Sequence, residues 1–154
     1  MMIRDAVRED AAAACEVMRR SIAELCVPDH RNDPEILQRW LSNKTPEIFK
    51  SWIGSDNVLL VLVDGASIVA VGCVTDVGEI TLNYVSPDAR FRGVSTAMLD
   101  ALERRARERG NGRCKLNSTE TAVRFYLARG YSQDGHGLGK FGTNSAYPMS
   151  KELD

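Results

Sequence analysis

At 154 residues the chain is the length of one domain, enough to bury roughly 70% of the surface its unfolded form exposes. A hydrophobic content of 44% beside 27% charged residues excludes a disordered or fibrous chain. The formal net charge of −1 gives no overall basic character, so nucleic acid is not expected as a partner. Residues 2–7 read as a first strand. Glu9 and Asp10 then place acid at a helix start, where the dipole favours it. Ala14, Val17, Met18, Ile22 and Leu25 carry an apolar stripe to about Cys26, and Pro28 is the expected stop. Two segments then echo each other, residues 33–41 (DPEILQRWL) and 45–53 (TPEIFKSWI). Each offers a capping residue, a proline at the first helical position and a glutamate in the first turn, so two short helices follow. Trp40 and Trp52 are read as core residues, and Gly54 as the end of the second helix.

Residues 57–63 form a nearly unbroken apolar run, expected of a strand covered on both faces. Asp64-Gly65 turns the chain into a return strand at 67–75, in which Gly72 signals a bulge or a close neighbour. Asp76-Val77-Gly78 turns again, completing an antiparallel meander with residues 79–85. There Ile80, Leu82 and Tyr84 alternate with Glu79, Thr81 and Asn83, which predicts one buried and one polar face. Ser86-Pro87-Asp88 breaks the strand. From Val94 the apolar spacing becomes helical, through Ala97, Met98, Ala101, Leu102 and Ala106. Residues 113–117 form another strand, parallel to the one before the helix, as a right-handed crossover requires. Ser118-Thr119 starts a helix to Arg129 with Ala122, Val123, Tyr126 and Leu127 as its stripe. Gly130 ends it, and a last antiparallel pair flanks a glycine-rich loop at 135–142.

Several site types are excluded. Gly139-Lys140 is not a phosphate loop, because Asp134 stands where its first glycine belongs and Phe141 replaces the Ser or Thr. His30 and His136 sit in loop contexts without a nucleophile elbow, so no hydrolase triad is expected and both are read as exposed. Cys15, Cys26, Cys73 and Cys114 form no CxxC pair, which argues against zinc and disulfides; no metal is expected. No run approaches the roughly 18 apolar residues of a membrane span and the N-terminus has no apolar leader, so a cytoplasmic setting without a membrane partner is the expectation.

The strongest local signal is the turn between strand and helix, Arg90-Phe91-Arg92-Gly93-Val94-Ser95-Thr96. Free amides at a helix start, a glycine and two arginines make an anion site. Residues 90–113 carry seven arginines against Asp100, Glu103 and Glu108, a local +4. RFRGVS after YVSP, together with FYLARGY at 125–131, resembles the signatures of the GNAT superfamily of acetyl-coenzyme-A-dependent N-acetyltransferases. The element order is similar over nearly the whole chain.

The resemblance implies a single α/β GNAT domain over residues 1–154, with a mixed, mainly antiparallel sheet of about six or seven strands. Strands 4 and 5 would splay apart, with helices flanking the sheet. It implies acetyl-coenzyme A as co-substrate, its pyrophosphate held by Arg90 through Thr96 (Arg90, Phe91, Arg92, Gly93, Val94, Ser95, Thr96) and its pantetheine arm by Asn83, Tyr84 and Val85. Ser95 replaces the family's Gly or Ala and is expected to add a hydrogen bond. The family's asparagine seven residues before the tyrosine is Thr119 here, with Asn117 nearby; both are candidate cofactor contacts. A lysine-like amine is neutral in only about one molecule in 2,500 at pH 7, a deficit of roughly 4.6 kcal/mol, so a proton acceptor is needed. By resemblance Glu79 would be that base, its other reading being a plain strand-start residue. Tyr126 would protonate the departing thiolate. The acceptor would be a primary amine on a small molecule, protein or peptide. Residues 1–89, with eight basic against fourteen acidic residues, favour a cationic one. A homodimer is compatible with the family, and a non-catalytic acyl-coenzyme-A-binding or sensor module is the alternative.

Overall fold

The computed structural model describes residues 1–135 and 146–154. Its frame is one seven-stranded sheet in the order β1-β2-β3-β4-β5-β7-β6. β1 (Met2–Asp5), β2 (Val58–Asp64), β3 (Ser67–Val74) and β4 (Glu79–Val85) pair antiparallel in turn. β5 (Arg113–Ser118) runs parallel to β4, and β7 (Tyr147–Glu152) inserts between β5 and the two-residue β6 (Ser132–Gln133). The mixed, mainly antiparallel α/β architecture expected from the sequence is therefore the observed one.

Helices cover both faces. α1 (Ala11–Arg20) buries Ala14, Val17 and Met18 against Val61, Val71 and Leu82 on one face. α5 (Val94–Glu108) buries Met98, Leu99 and Leu102 against Leu60, Val74 and Ile80 on the other. Each such side chain contributes roughly 1.5–3 kcal/mol by leaving water. Leu99 joins this stripe and Ala97 is exposed, which corrects the expected stripe at that one position. Gly72 proves to have the close neighbour: a Cβ there would lie 2.6 Å from Met98 Sδ, so glycine lets α5 approach the sheet.

The short helices start as their sequences require. Asp33 caps α3 (Pro34–Leu41), accepting from the amides of Glu35 and Ile36, and Thr45 caps α4 (Pro46–Trp52), accepting from Ile48. After α1 the helix widens into a π-turn at Ser21–Leu25. Pro28 does not stop structure but lies in the first turn of α2 (Val27–His30), where its missing N–H costs nothing. His30 is fully buried rather than exposed. Its Nε2 lies 2.9 Å from the Ile22 carbonyl and its Nδ1 accepts from Asn32 N–H at 2.9 Å, so the backbone takes both ring nitrogens. α6 (Val123–Ala128) buries Tyr126 and leaves Leu127 47% exposed, so Phe125 rather than Leu127 completes its stripe. His136, Gly139 and Lys140 lie outside the described residues.

The main departure from strict alternation is in β4. Cys73 pairs with Leu82 while Val74 pairs with Ile80, which makes Thr81 an extra residue, a β-bulge. Ile80 consequently packs on the α5 face, whereas Leu82 and Tyr84 pack on the α1 face. The three do not share a face as the sequence pattern predicts. Beyond the bulge Asn83 lies opposite Gly72, on the α5 side.

Candidate active site

Among the described residues β4 and β5 pair at two positions, the start of β4 against the middle of β5, Glu79 opposite Lys115 and Ile80 opposite Leu116. Past that point they separate, and among the described residues no strand pairs with the β5-facing edge of β4. The opening is a cleft of about 630 Å³ bordered by β4 from Ile80 to Val85, by Leu116–Thr119, by the start of α5 and by α6. Backbone donors and acceptors on such an edge can pair with the amides of an extended ligand.

One end of the cleft is the α5 start. Gly93 has φ of +75°, and the preceding Phe91 has φ of +62°, so the chain reverses tightly before entering the helix. Ala97 N–H is bonded to the Gly93 carbonyl at 3.0 Å; the amides of Val94, Ser95 and Thr96 precede that first intrahelical bond. No acidic residue occupies the first turn, and nothing lies within 4 Å of where a Gly93 Cβ would sit. Arg90 lies at the cleft with its guanidinium carbon 4.5 Å from the Phe91 ring centroid. Arg92 does not line the cleft; it is paired with Asp64 at 2.9 Å. Arg129, which the sequence did not flag, does line it and donates through Nε and Nη2 to Thr96 Oγ1 at 3.1 and 2.9 Å.

Tyr126 of α6 also lines the cleft, buried, with its phenol oxygen accepting from Asn83 Nδ2 at 3.1 Å. Burial pushes the phenol up to about 12, and the Asn83 bond acts in the opposite sense. The bulge at Thr81 is what turns Asn83 toward α6. Asp29 fixes the approach to α6 by accepting from Glu120 N–H at 2.7 Å and from Thr121 N–H and Oγ1–H at 3.3 and 2.5 Å.

A second cavity of about 290 Å³ meets the first at the splay, sharing Thr81, Leu82, Tyr84, Asn117, Ser118 and Thr119. Its outer walls are Trp40, Trp52, Asn43, Lys44 and Asn57. Trp40 is buried and its Nε1 donates to the Tyr84 hydroxyl at 3.3 Å. The two tryptophans are thus both packed residues and cavity walls. The signal was in the echo, which sets each tryptophan seven residues after its capping residue.

Glu79 lines neither cavity; it lies where the β4–β5 pairing is still intact. Among the described residues no Asp or Glu lines either one. Nor do three potential metal ligands gather among them, and no helix there is long and apolar enough to cross a membrane.

The family model described as Acetyltransferase (GNAT) domain matches residues 26–153. The chain belongs to the GNAT family. No curated protein sequence matches this GNAT domain. Among solved structures, a GCN5-related N-acetyltransferase from Rhodopseudomonas palustris is similar at TM-score 0.87 and 25% identity, covering 99% of this chain and 95% of that one. The PaiA N-acetyltransferase from Thermoplasma acidophilum, solved in complex with coenzyme A, is similar at TM-score 0.84 and 17% identity, covering 99% and 98%. The ribosomal-protein-S18-alanine N-acetyltransferase from Escherichia coli follows at TM-score 0.72 and 19% identity, covering 99% and 94%. The last two likenesses speak for the fold, and with it for the splayed sheet on which the cleft is built.

Proposed function

We propose that this GNAT domain transfers an acetyl group from acetyl-coenzyme A to a primary amine by direct attack. The carrying observation is Tyr126, a buried phenol hydrogen-bonded to Asn83, lining the same cleft as an acid-free helix start. Acetyl-coenzyme A supplies the acyl group as a thioester. The residues present fit it: the α5 amides, Arg90 and Arg129 suit a pyrophosphate, and Gly93 leaves open space where a Cβ would otherwise stand. The unpaired edge of β4 from Asn83 to Val85 suits the amide-bearing arm, and Asn117, Thr119 and Ser95 add polar groups along the same cleft. Arg92, held by Asp64, serves only the general positive field.

Tyr126 holds a hydrogen bond at the leaving group rather than surrendering its proton. Moving a proton from a group near 12 to a thiolate whose conjugate acid is near 8.5 costs on the order of 5 kcal/mol. A phenol O–H donated to the sulfur stabilises the charge without that cost. For the amine, the absence of carboxylates among the described residues lining the two cavities favours release of its proton to water over abstraction by Glu79. The amine enters from the second cavity, which opens on the same splay.

The test is thiol release from acetyl-coenzyme A with a panel of amines, run beside a direct cofactor-binding measurement. Acetylated product with at least one amine is expected. Cofactor binding without transfer across a wide panel would instead make the chain an acyl-coenzyme-A-binding module.

A further inference from the structure

We propose that the ring of Phe91 is the platform on which the adenine of acetyl-coenzyme A stacks. The acyl donor is then the free nucleotide cofactor, and not a thioester on the phosphopantetheine arm of a carrier protein, which has no base to offer. This rests on the reading that the α5 start holds the pyrophosphate, and it adds how the nucleotide end is recognised.

Among the described residues four aromatic side chains line the cleft: Tyr84, Phe91, Phe125 and Tyr126. Three of them are taken up by the fold. Tyr84 accepts from Trp40 Nε1 and packs on the α1 side, while Tyr126 is buried beside Asn83. Phe125 packs on the α5-side core and meets Tyr126 edge-on, with the ring centroids 5.2 Å apart. Phe91 belongs to none of the core clusters and is 92% exposed, more than any other large apolar side chain among the described residues. A lone exposed apolar residue is ordinary on a surface, so exposure alone decides nothing.

Its backbone and its place decide more. Phe91 has φ of +62°, a region that glycine or asparagine enters readily and a bulky aromatic residue rarely does. The turn into α5 would form at lower cost without the ring, and no core contact offsets that cost. Backbone strain of this kind concentrates at ligand clamps. The Arg90 guanidinium lies over one face of the ring, its carbon 4.5 Å from the centroid, and the high exposure leaves the other face open. Phe91 stands two residues before Gly93 and lines the same cleft. With the arm along β4 and the pyrophosphate on the α5 amides, the adenosine, attached on the far side of the pyrophosphate, leaves the cleft beside this loop. A purine face stacked there leaves water together with the ring.

Isothermal titration of the full chain compares coenzyme A with 4′-phosphopantetheine, which keeps the arm and one phosphate but lacks the adenosine. Phe91→Asn removes the ring and keeps a residue that tolerates the left-handed turn, whereas Phe91→Tyr keeps a platform. Phe91→Asn should weaken coenzyme A binding about five- to a hundred-fold, the worth of a base stacked on an aromatic ring, and leave 4′-phosphopantetheine binding unchanged. Phe91→Tyr should bind coenzyme A as the wild type does. The urea midpoint of Phe91→Asn should equal or exceed that of the wild type, since the substitution relieves the turn. A lower midpoint would assign the ring to the fold and overturn the inference. Coenzyme A affinity untouched in Phe91→Asn, or lost in equal measure for both ligands, overturns it as well and leaves the cofactor cleft standing. Failure of the wild type to bind coenzyme A at all overturns both readings.

Discussion

Asn83 and Tyr126 act as one unit, because the side-chain amide of one fixes the phenol oxygen of the other at 3.1 Å. Tyr126→Phe removes the hydroxyl proposed to donate to the leaving group but keeps the ring packed against Phe125 and Tyr131, so folding is preserved. We expect turnover to fall about ten- to a hundred-fold, the worth of one hydrogen bond to a developing charge, with cofactor affinity nearly unchanged. Wild-type turnover in this variant would return Tyr126 to a purely structural role. Asn83→Ala should cost less, about ten-fold, and add little in the double variant, since each removes the same interaction. At the other end of the cleft, Gly93→Asp places a carboxylate on a strained φ of +75° beside the amides of Val94–Thr96, the proposed pyrophosphate site. Isothermal titration with coenzyme A should show binding lost by at least about a hundred-fold; retained affinity would place the phosphate site elsewhere.

Among the elements, β4 does most to place the site, and it does so through one inserted residue. Without the bulge at Thr81, Asn83 would face α1 and the Tyr126 phenol would lose its partner, because a one-residue slip exchanges the faces of a strand. The same register sets Asn83 opposite Gly72, and Gly72 lets Met98 of α5 come within reach of the sheet. Gly72→Ala would put a methyl 2.6 Å from Met98 Sδ and 3.0 Å from Leu102 Cδ1, in a core where both residues are fully buried. Urea unfolding should show a loss of about 1–3 kcal/mol, the usual cost of overpacking. Shortening Met98 to Ala in the same chain should recover part of that loss; strictly additive losses would show that the two do not touch. These elements were legible to different degrees. Capping residues, turn pairs and the switch from period two to period 3.6 placed nearly every strand and helix, since those signals are local. The bulge was not legible, because it depends on how β3 and β4 twist together and not on what Thr81 is. The loop from Arg90 to Thr96 was readable from its glycine and arginines, but which arginine faces the cleft depended on Asp64, a partner distant in sequence. Glu79, placed by analogy of position alone, ended outside both cavities.

On the scale of the whole molecule, the sheet keeps its polar chemistry at the splay and fills both faces with groups that must stay protonated. All four cysteines are free and buried, and burial raises the thiols of Cys15 and Cys73, carries Cys114 to about 11 and carries Cys26 to about 12. The phenols of Tyr84, Tyr126 and Tyr131 are raised in the same way, Tyr126 to about 12. In the unfolded chain thiols titrate near 8.5 and phenols near 10. Above about pH 8.5, therefore, the unfolded state binds fewer protons than the native one, and stability falls as pH rises. Each group contributes about 1.4 kcal/mol per pH unit across the interval between its unfolded and native values. Several thiols titrate together at the lower edge, so the loss begins there and steepens when the phenols join near pH 10. Urea midpoints measured with reductant at pH 7, 8.5 and 10 should be flat over the first step and drop sharply over the second, with an unchanged m-value. Cys114→Ala removes one of these groups, and its midpoint should fall less steeply between pH 8.5 and 10 even if it starts lower. A midpoint that stays level to pH 10 would mean that the interior admits thiolates, and the packing of α1 and α5 onto the sheet would then be looser than the buried thiols require.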